Sequence, residues 1–261
     1  MPTDDCCCQL PTALREALRS VPGRPQLTVL SGAGASAESG IATFRDAQHA
    51  LWADFDPAEL ATEQAWRRDP ARVWAWYEWR RRTVMDASPN EGHLALAALE
   101  SRYDVTLITQ NVDDLHERAG SSQVVHLHGS LFAPRCFACA RPGTFHGLPP
   151  QADSPQSRMN PPGCKHCGGK VRPGVVWFGE ALPQVAWKAA EAATVNTSLL
   201  VVVGTSAIVQ PAARLPERAL RAEVPVLEIN TTPVLAQHHS AVIAWPCTAA
   251  AGLGALASQL L

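Results

Sequence analysis

The chain has 261 residues, 46% hydrophobic and 18% charged, which suits one large domain with an ordinary core or such a domain with a smaller companion. A formal net charge of −2, with no long basic run, offers no attraction to nucleic acid or an anionic membrane. No apolar stretch approaches the roughly 18 residues of a membrane span, and the acidic opening MPTDDCCCQL lacks a secretory signal's order, so the expectation is a soluble, cytoplasmic protein.

In chain order, PTALREALRSV places Leu14, Leu18 and Val21 on one stripe and predicts an opening amphipathic helix. QLTVLSGAGAS predicts a buried strand running into a glycine turn. Residues 54–100 read as helical, with Asp69-Pro70 separating ATEQAWRRDP from ARVWAWYEWRRRTVMD, and Asn90 as a cap for NEGHLALAALE. YDVTLITQN is a second buried strand, VDDLHERAG a short helix ended by Gly120, and SSQVVHLHGS a third strand. Residues 133–173 turn to proline, glycine and cysteine and lose periodicity. Strand–helix alternation is expected to resume at GVVWFGE and to continue through SLLVVVGTS, PVLEINTT and AVIAW.

Interleaved strands and helices predict an α/β fold, a Rossmann-like parallel sheet covered by helices on both faces. The cysteine-bearing stretch is expected to be an insertion. The division is a large domain over residues about 10–50, 90–132 and 174–261, and a small domain from a helical insertion at about 51–89 and a zinc ribbon at about 133–173.

Three places carry chemistry. Gly32-Ala33-Gly34, followed by Ala35 and Ser36, sits where a strand opens into the next element, so glycines would let backbone N–H groups approach a pyrophosphate. It departs from GxGxxG by holding Ala37 at the third glycine, and an ordinary strand–helix turn reads the same way. Cys136, Cys139, Cys164 and Cys167 form two CxxC pairs separated by 24 residues. Four thiolates at this spacing suit tetrahedral zinc with no open position, hence one structural Zn2+, with a thiol redox pair as the alternative. Gln110, Asn111 and Asp113 follow one strand and His128 follows another, at the carboxyl edge where α/β proteins bind ligands. A lone histidine there is either a satisfied core residue or a base. Cys6, Cys7 and Cys8 read as a tail with oxidisable thiols.

GAGASAESGIATFR, TQNVDDLHERAG, HLHGS, the CxxC pairs, VVWFGE, GTSAIVQPAARLP and INTTP, in order from about Leu27 to Cys247, resemble the sirtuin family of NAD-dependent protein lysine deacylases. The resemblance implies that NAD is consumed, giving nicotinamide, O-acyl-ADP-ribose and free lysine, with acylated-lysine proteins or peptides as partners. It implies that His128 is the general base on a ribose hydroxyl. It implies that Gly32, Ala33, Gly34, Ala35, Ser36, Thr43, Phe44, Arg45 and Trp52 embrace the phosphates and nicotinamide ribose, while Gln110, Asn111, Val112 and Asp113 hold the nicotinamide end. Gly204, Thr205, Ser206, Asn230, Thr231, Thr232 and Cys247 are implied at the adenosine end, and Val176, Trp177 and Phe178 as an edge to which the substrate adds a strand.

Tyr77 and Arg80, three residues apart on one helix face, resemble the YxxR pair of the class III sirtuins, which also remove malonyl, succinyl and glutaryl groups; Ala61 matches the small residue that makes room for a longer acyl chain. An acidic acyl tail needs a paired, hydrogen-bonded environment, which a guanidinium and a phenol supply. Out of context a YxxR is a solvated face. Trp74, Trp76 and Trp79 are expected to pack, and Arg81 and Arg82 to be solvated. FRDAQHALW departs from the family by lacking glycine and gaining a residue in Asp46–Leu51, in a loop that covers the cofactor in the family. Alternative readings are a protein mono-ADP-ribosyltransferase, which would need no acylated lysine, and a non-enzymatic NAD- or zinc-binding adaptor.

Overall fold

A computed structural model describes residues 8–42, 56–143, 152 and 154–261. Helix α1 (Thr12–Ser20) leads into β1 (Gln26–Ser31) and a 3-10 turn at Ala33–Ser39. Helices α2 (Pro57–Leu60), α3 (Glu63–Arg68), α4 (Pro70–Asp86) and α5 (Glu91–Leu99) precede β2 (Asp104–Thr109), α6 (Leu115–Ala119), β3 (Val124–His126) and β4 (Gly129–Cys136). After β5 (Val171–Val175) come α7 (Gln184–Val195), β6 (Leu199–Val203), α8 (Leu215–Arg221), β7 (Val226–Ile229), α9 (Leu235–His238), β8 (Val242–Trp245) and α10 (Ala249–Leu260). Among the described residues no helix is long and apolar enough to cross a membrane.

Six strands form one parallel sheet in the order β3-β2-β1-β6-β7-β8. The chain runs outward from β1 to one edge, then returns to β6 and runs to the other. That reversal between β1 and β6 is the switch point where doubly wound sheets open a crevice at their carboxyl ends. β1 and β6 are apolar on alternate faces: Leu27, Val29, Leu199 and Val201 pack into one core with α5 and α10, while Leu30, Leu200 and Val202 pack into another with α7 and α8. Burial on both faces explains the unbroken LLVVV run of β6.

A third core lies outside the sheet. α3 and α4 pack Trp66, Trp74, Trp76 and Tyr77 against Leu131, Val171, Val175 and Trp177 of the β4–β5 region. β4 and β5 pair antiparallel as a two-stranded sheet, with Gly129 opposite Val175 and Cys136 opposite Val171. Boundaries at 132/133 and 173/174 therefore cut through both strands, and the small sheet begins at Gly129. SSQVVHLHGS is two strands, and the strand near GVVWFGE ends at Val175 in the small sheet.

Caps explain where the helices begin. Asp69 accepts from Arg72 N at 3.1 Å, with Pro70 in the first turn of α4. Asp69 also receives both terminal guanidinium nitrogens of Arg158, at 2.7 and 2.9 Å, which ties that residue to the start of α4. Asn90 accepts from Gly92 N and His93 N, while His93 Nδ1 accepts from Asn90 N: a capping box that opens α5. Trp74 and Trp76 are packed in the core and Arg82 is exposed, as expected. Arg81 is not solvated: it is buried, with Nη2 2.5 Å from the buried Glu78 carboxylate one turn earlier on α4. Arg81 and Glu78 lie one turn apart on α4, so the two charges are buried as a pair.

Candidate active site

The carboxyl ends of β1, β2, β6 and β7 open on a cleft of about 1040 Å³, which continues between the sheet and the α4–β5 layer. That volume is at the upper end of ordinary small-molecule sites.

The glycine turn forms the floor. A Cβ on Gly32 would lie 2.7 Å from Thr205 Cβ, and one on Gly34 would lie 2.7 Å from Gly204 Cα. Gly204 itself has φ +60°. Gly32 N donates to Val203 O at 3.0 Å, Gly34 N to Gly204 O at 2.8 Å, and Ala35 N to Gly32 O at 2.9 Å. These glycines thus let the turn lie against the end of β6, and their amides are spent within the protein rather than presented to a pyrophosphate. Gly32, Ala33, Gly34 and Ser36 line the cleft, while Ala35 is buried in the sheet core and does not.

Ser36 is the hub on that side. Its hydroxyl donates to Asp113 Oδ2 at 3.0 Å and receives Asn111 Nδ2 at 3.2 Å; Asn111 Nδ2 also reaches Gly32 O at 3.1 Å. Asp113 is buried, and burial raises its carboxyl pKa against the opposing bonds from Leu115 N–H and the Ser36 hydroxyl. Gln110, Asn111, Val112 and Asp113 all line the cleft. Gln110 Nε2 donates to Thr205 Oγ1 at 2.9 Å, which links the end of β2 to the end of β6.

His128 sits in the two-residue break between β3 and β4. Its Nδ1 is 3.0 Å from Gln110 O. A carbonyl only accepts, so Nδ1 carries the proton and Nε2 is left as the basic nitrogen. Burial holds the imidazole below its ordinary pKa, opposed by the bond to the Gln110 carbonyl. The ring is thus neutral near pH 7 and lines the cleft.

At the other end, Gly204, Thr205, Ser206, Asn230, Thr231, Thr232 and Cys247 line the wall. Asn230 Nδ2 donates to Thr205 O at 2.8 Å. The buried Glu228 carboxylate accepts from Val234, Leu235 and Ala236 N–H groups and so holds the loop that carries Thr231 and Thr232. Cys247 Sγ lies 3.3 Å from Cys8 Sγ, which brings the amino-terminal segment to the cleft wall.

The sheet-remote end is lined by Ala61, Tyr77 and Arg80, with Val176, Trp177 and Phe178 beside them. Tyr77 is buried; its hydroxyl accepts from Trp177 Nε1 at 3.1 Å. Burial pushes its pKa up to about 12, against the pull of Arg80, so it is a neutral phenol. The Arg80 guanidinium lies 5.1 Å over the Trp76 ring. It has no carboxylate partner among the described residues, and burial lowers its pKa against the fields of Tyr77 and Asp113. Val176 N donates to His128 O at 2.8 Å, Trp177 N to Glu180 Oε2 at 2.9 Å and Phe178 N to Ala61 O at 2.9 Å, so all three amides at this edge are engaged inside the protein.

Thr43, Phe44, Arg45, Trp52 and the Asp46–Leu51 loop lie outside the described residues. Sequence reasoning missed Val84, Glu180, Leu182 and Val209 in the lining. Val84 was reachable, since it lies two helical turns from Tyr77 on the same face. The others face the cleft from irregular segments.

The four cysteine sulfurs all lie within 4.8 Å of one another, with Cys136 to Cys167 at 3.5 Å and Cys139 to Cys164 at 3.8 Å. Sulfurs about 2.3 Å from a tetrahedral zinc lie close to these separations. Cys139 N–H points at Cys136 Sγ and His166 N–H at Cys164 Sγ, which stabilises thiolates. The quartet fits a closed, structural zinc site some way from the cleft.

A profile of the Sir2 family matches residues 32–211. A curated relative, NAD-dependent protein deacylase 1 of Pseudomonas aeruginosa, is 53% identical over 86% of this chain and 90% of its own. The NAD-dependent protein deacylase of Mycobacterium tuberculosis is 53% identical over 80% of this chain and 86% of its own. A crystal structure of a Sir2 homolog–NAD complex superposes with a TM-score of 0.83 at 39% identity, over 97% of this chain and 94% of that one. With a family profile over residues 32–211 and relatives at 53% identity, the chain belongs to the Sir2 family.

Proposed function

We propose that this chain is an NAD-dependent protein-lysine deacylase that takes acyl groups ending in a carboxylate (succinyl, malonyl and glutaryl) as well as acetyl. The glycine turn, closed against the end of β6 with no room for a Cβ, and the polar set Ser36, Gln110, Asn111 and Asp113 suit a dinucleotide. Asn111 and Asp113 would hold the nicotinamide amide, and Thr205, Ser206 and Asn230 the adenosine end. NAD, when bound, supplies the acceptor to which the acyl group passes. His128 Nε2 would take the proton from a ribose hydroxyl, because its Nδ1 is held by Gln110 O. The cysteine quartet would keep the small sheet folded.

The observation that carries the acyl class is Arg80: a guanidinium lining the cleft beside a buried phenol, with no carboxylate in an ion pair with it among the described residues. Arg80 is half-buried, and a cation partly withdrawn from water is normally paired. A carboxylate at the end of an acyl chain completes such a pair, at about 1.5–3 kcal/mol per charge-assisted bond. Ala61 leaves space beside it.

The test is incubation with NAD and matched succinyl-lysine and acetyl-lysine peptides, following nicotinamide and O-acyl-ADP-ribose. Arg80→Met is expected to lower kcat/KM for the succinyl peptide by about 10- to 100-fold, and for the acetyl peptide far less. No nicotinamide release with either peptide overturns the deacylase reading; equal loss on both peptides overturns the role given to Arg80.

A further inference from the structure

We propose that Arg172, Trp177 and Glu180 are positioning residues that fix the Tyr77 hydroxyl as a donor aimed into the acyl pocket, and so set the preference for acidic over neutral acyl groups. The inference rests on the acidic-acyl reading above; Arg172 lies outside the cleft lining, while Trp177 and Glu180 line it and act here through the Tyr77 hydroxyl.

An indole N–H only donates. The 3.1 Å contact from Trp177 Nε1 therefore occupies a lone pair of Tyr77 Oη and leaves the phenol proton to find another acceptor. No acceptor for it exists among the described residues, although Tyr77 is only 4% exposed. A buried hydroxyl proton without a partner is costly unless a ligand supplies the acceptor. The side of Tyr77 that remains is the cleft. An acyl carboxylate can accept there; a methyl group cannot.

Trp177 is itself held from behind. The buried Arg172 guanidinium lies 3.3 Å from the centroid of the Trp177 ring. Arg172 is ion-paired with Glu180 and donates to Val175 O at 2.9 Å. Glu180 also accepts from Trp177 N at 2.9 Å, so one carboxylate anchors both the indole's main chain and the cation on its face. A cation on the π face draws density from the indole and strengthens its N–H as a donor. Accepting that stronger bond makes the phenol a better donor in turn. On the opposite side Tyr77 meets Trp76 edge-on at 4.8 Å and 85°, which keeps the ring from swinging.

Trp177→Phe keeps an aromatic face for Arg172 and removes the indole N–H, together with the rest of the five-membered ring, whose lost packing affects both peptides alike. Full-length protein is assayed for kcat and KM with succinyl-lysine and acetyl-lysine peptides, and peptide binding is measured by fluorescence anisotropy. The succinyl-to-acetyl ratio of kcat/KM is expected to fall about fivefold, mainly through KM, with a matching loss in succinyl-peptide binding. In a Tyr77→Phe background the same substitution is expected to leave that ratio where Tyr77→Phe alone puts it, because the two act through one bond. If Trp177→Phe does not fold, Glu180→Gln carries the test with a fall of about two- to threefold. Equal losses on both peptides, or additive effects in the double variant, overturn the inference while leaving the Arg80 result intact. A wild-type protein inactive on succinyl-lysine overturns the acyl class and this inference together.

Discussion

At position 129 no side chain fits. A Cβ there would lie 2.1 Å from Gly174 O, and φ is +72°. This glycine lets the chain leave the large sheet at His126, present His128, and enter the small sheet. Gly129→Ala is expected to destabilise the protein by about 2 kcal/mol or more in urea unfolding; a change below about 0.5 kcal/mol would show that the turn relaxes without strain. The same two-residue break tunes the base. Because burial lowers the His128 pKa, the neutral imidazole persists below pH 6.5. The acid limb of kcat/KM, measured with an acetyl-lysine peptide whose acyl group does not titrate, is expected below that ordinary value; a limb above pH 7 would contradict the burial seen here. The histidine and its glycine were legible as HG after an apolar run, but not the break in that run, since VVHLHG alternates well enough to pass for one strand.

At the scale of elements, α4 shows what periodicity reveals and what it hides. Its length, its Asp-Pro start and the shared face of Tyr77 and Arg80 follow from spacing alone. Which face meets the core does not, because tryptophans stand on every side; hence Arg81 was misplaced and its burial with Glu78 missed. The β4–β5 pair was hidden for another reason. Its strands are separated by a proline- and glycine-rich stretch, and β5 itself contains Pro173 and Gly174, which weaken any strand signal. A two-stranded sheet is marginal by itself, and this one is held by the cysteine quartet at one end and the tryptophans of α3 and α4 on its face. Removing zinc with a strong chelator is therefore expected to raise amide exchange over β4, β5 and the cysteine loops first, while β1, β2 and β6 stay protected. Uniform loss of protection would show that the large sheet depends on the metal as well.

Among the described residues three apolar cores surround the cleft, and the seam behind it carries a feature that no motif announced. His93 of α5 and His116 of α6 are both buried, with ring centroids 4.7 Å apart. His116 Nε2 lies 3.0 Å from Ser31 Oγ, which donates to Thr109 Oγ1 at 2.9 Å, and Thr109 Oγ1 receives Asn111 N at 3.0 Å. The pair thus backs the strand ends that carry the glycine turn and Asn111. Burial lowers the His93 pKa to about 4 and, with His93 and His126 nearby, the His116 pKa to about 3. Both rings are neutral in the folded protein down to those values, while the unfolded chain takes up their protons from about pH 6.5 downward. Stability from these two sites is therefore complete above pH 6.5 and is lost as pH falls towards 4 and then 3, at up to about 1.4 kcal/mol per pH unit for each ring. His93→Gln keeps an acceptor for Asn90 N and removes one of the two titrations. The fall in unfolding free energy between pH 6.5 and 4 is expected to be shallower in that variant by about 1 kcal/mol per unit. The cysteine quartet is unchanged, so its own acid sensitivity cancels in the comparison. Parallel curves for the two proteins would mean that His93 is protonated in the fold well above pH 4, and that the seam opens to water more readily than its burial implies.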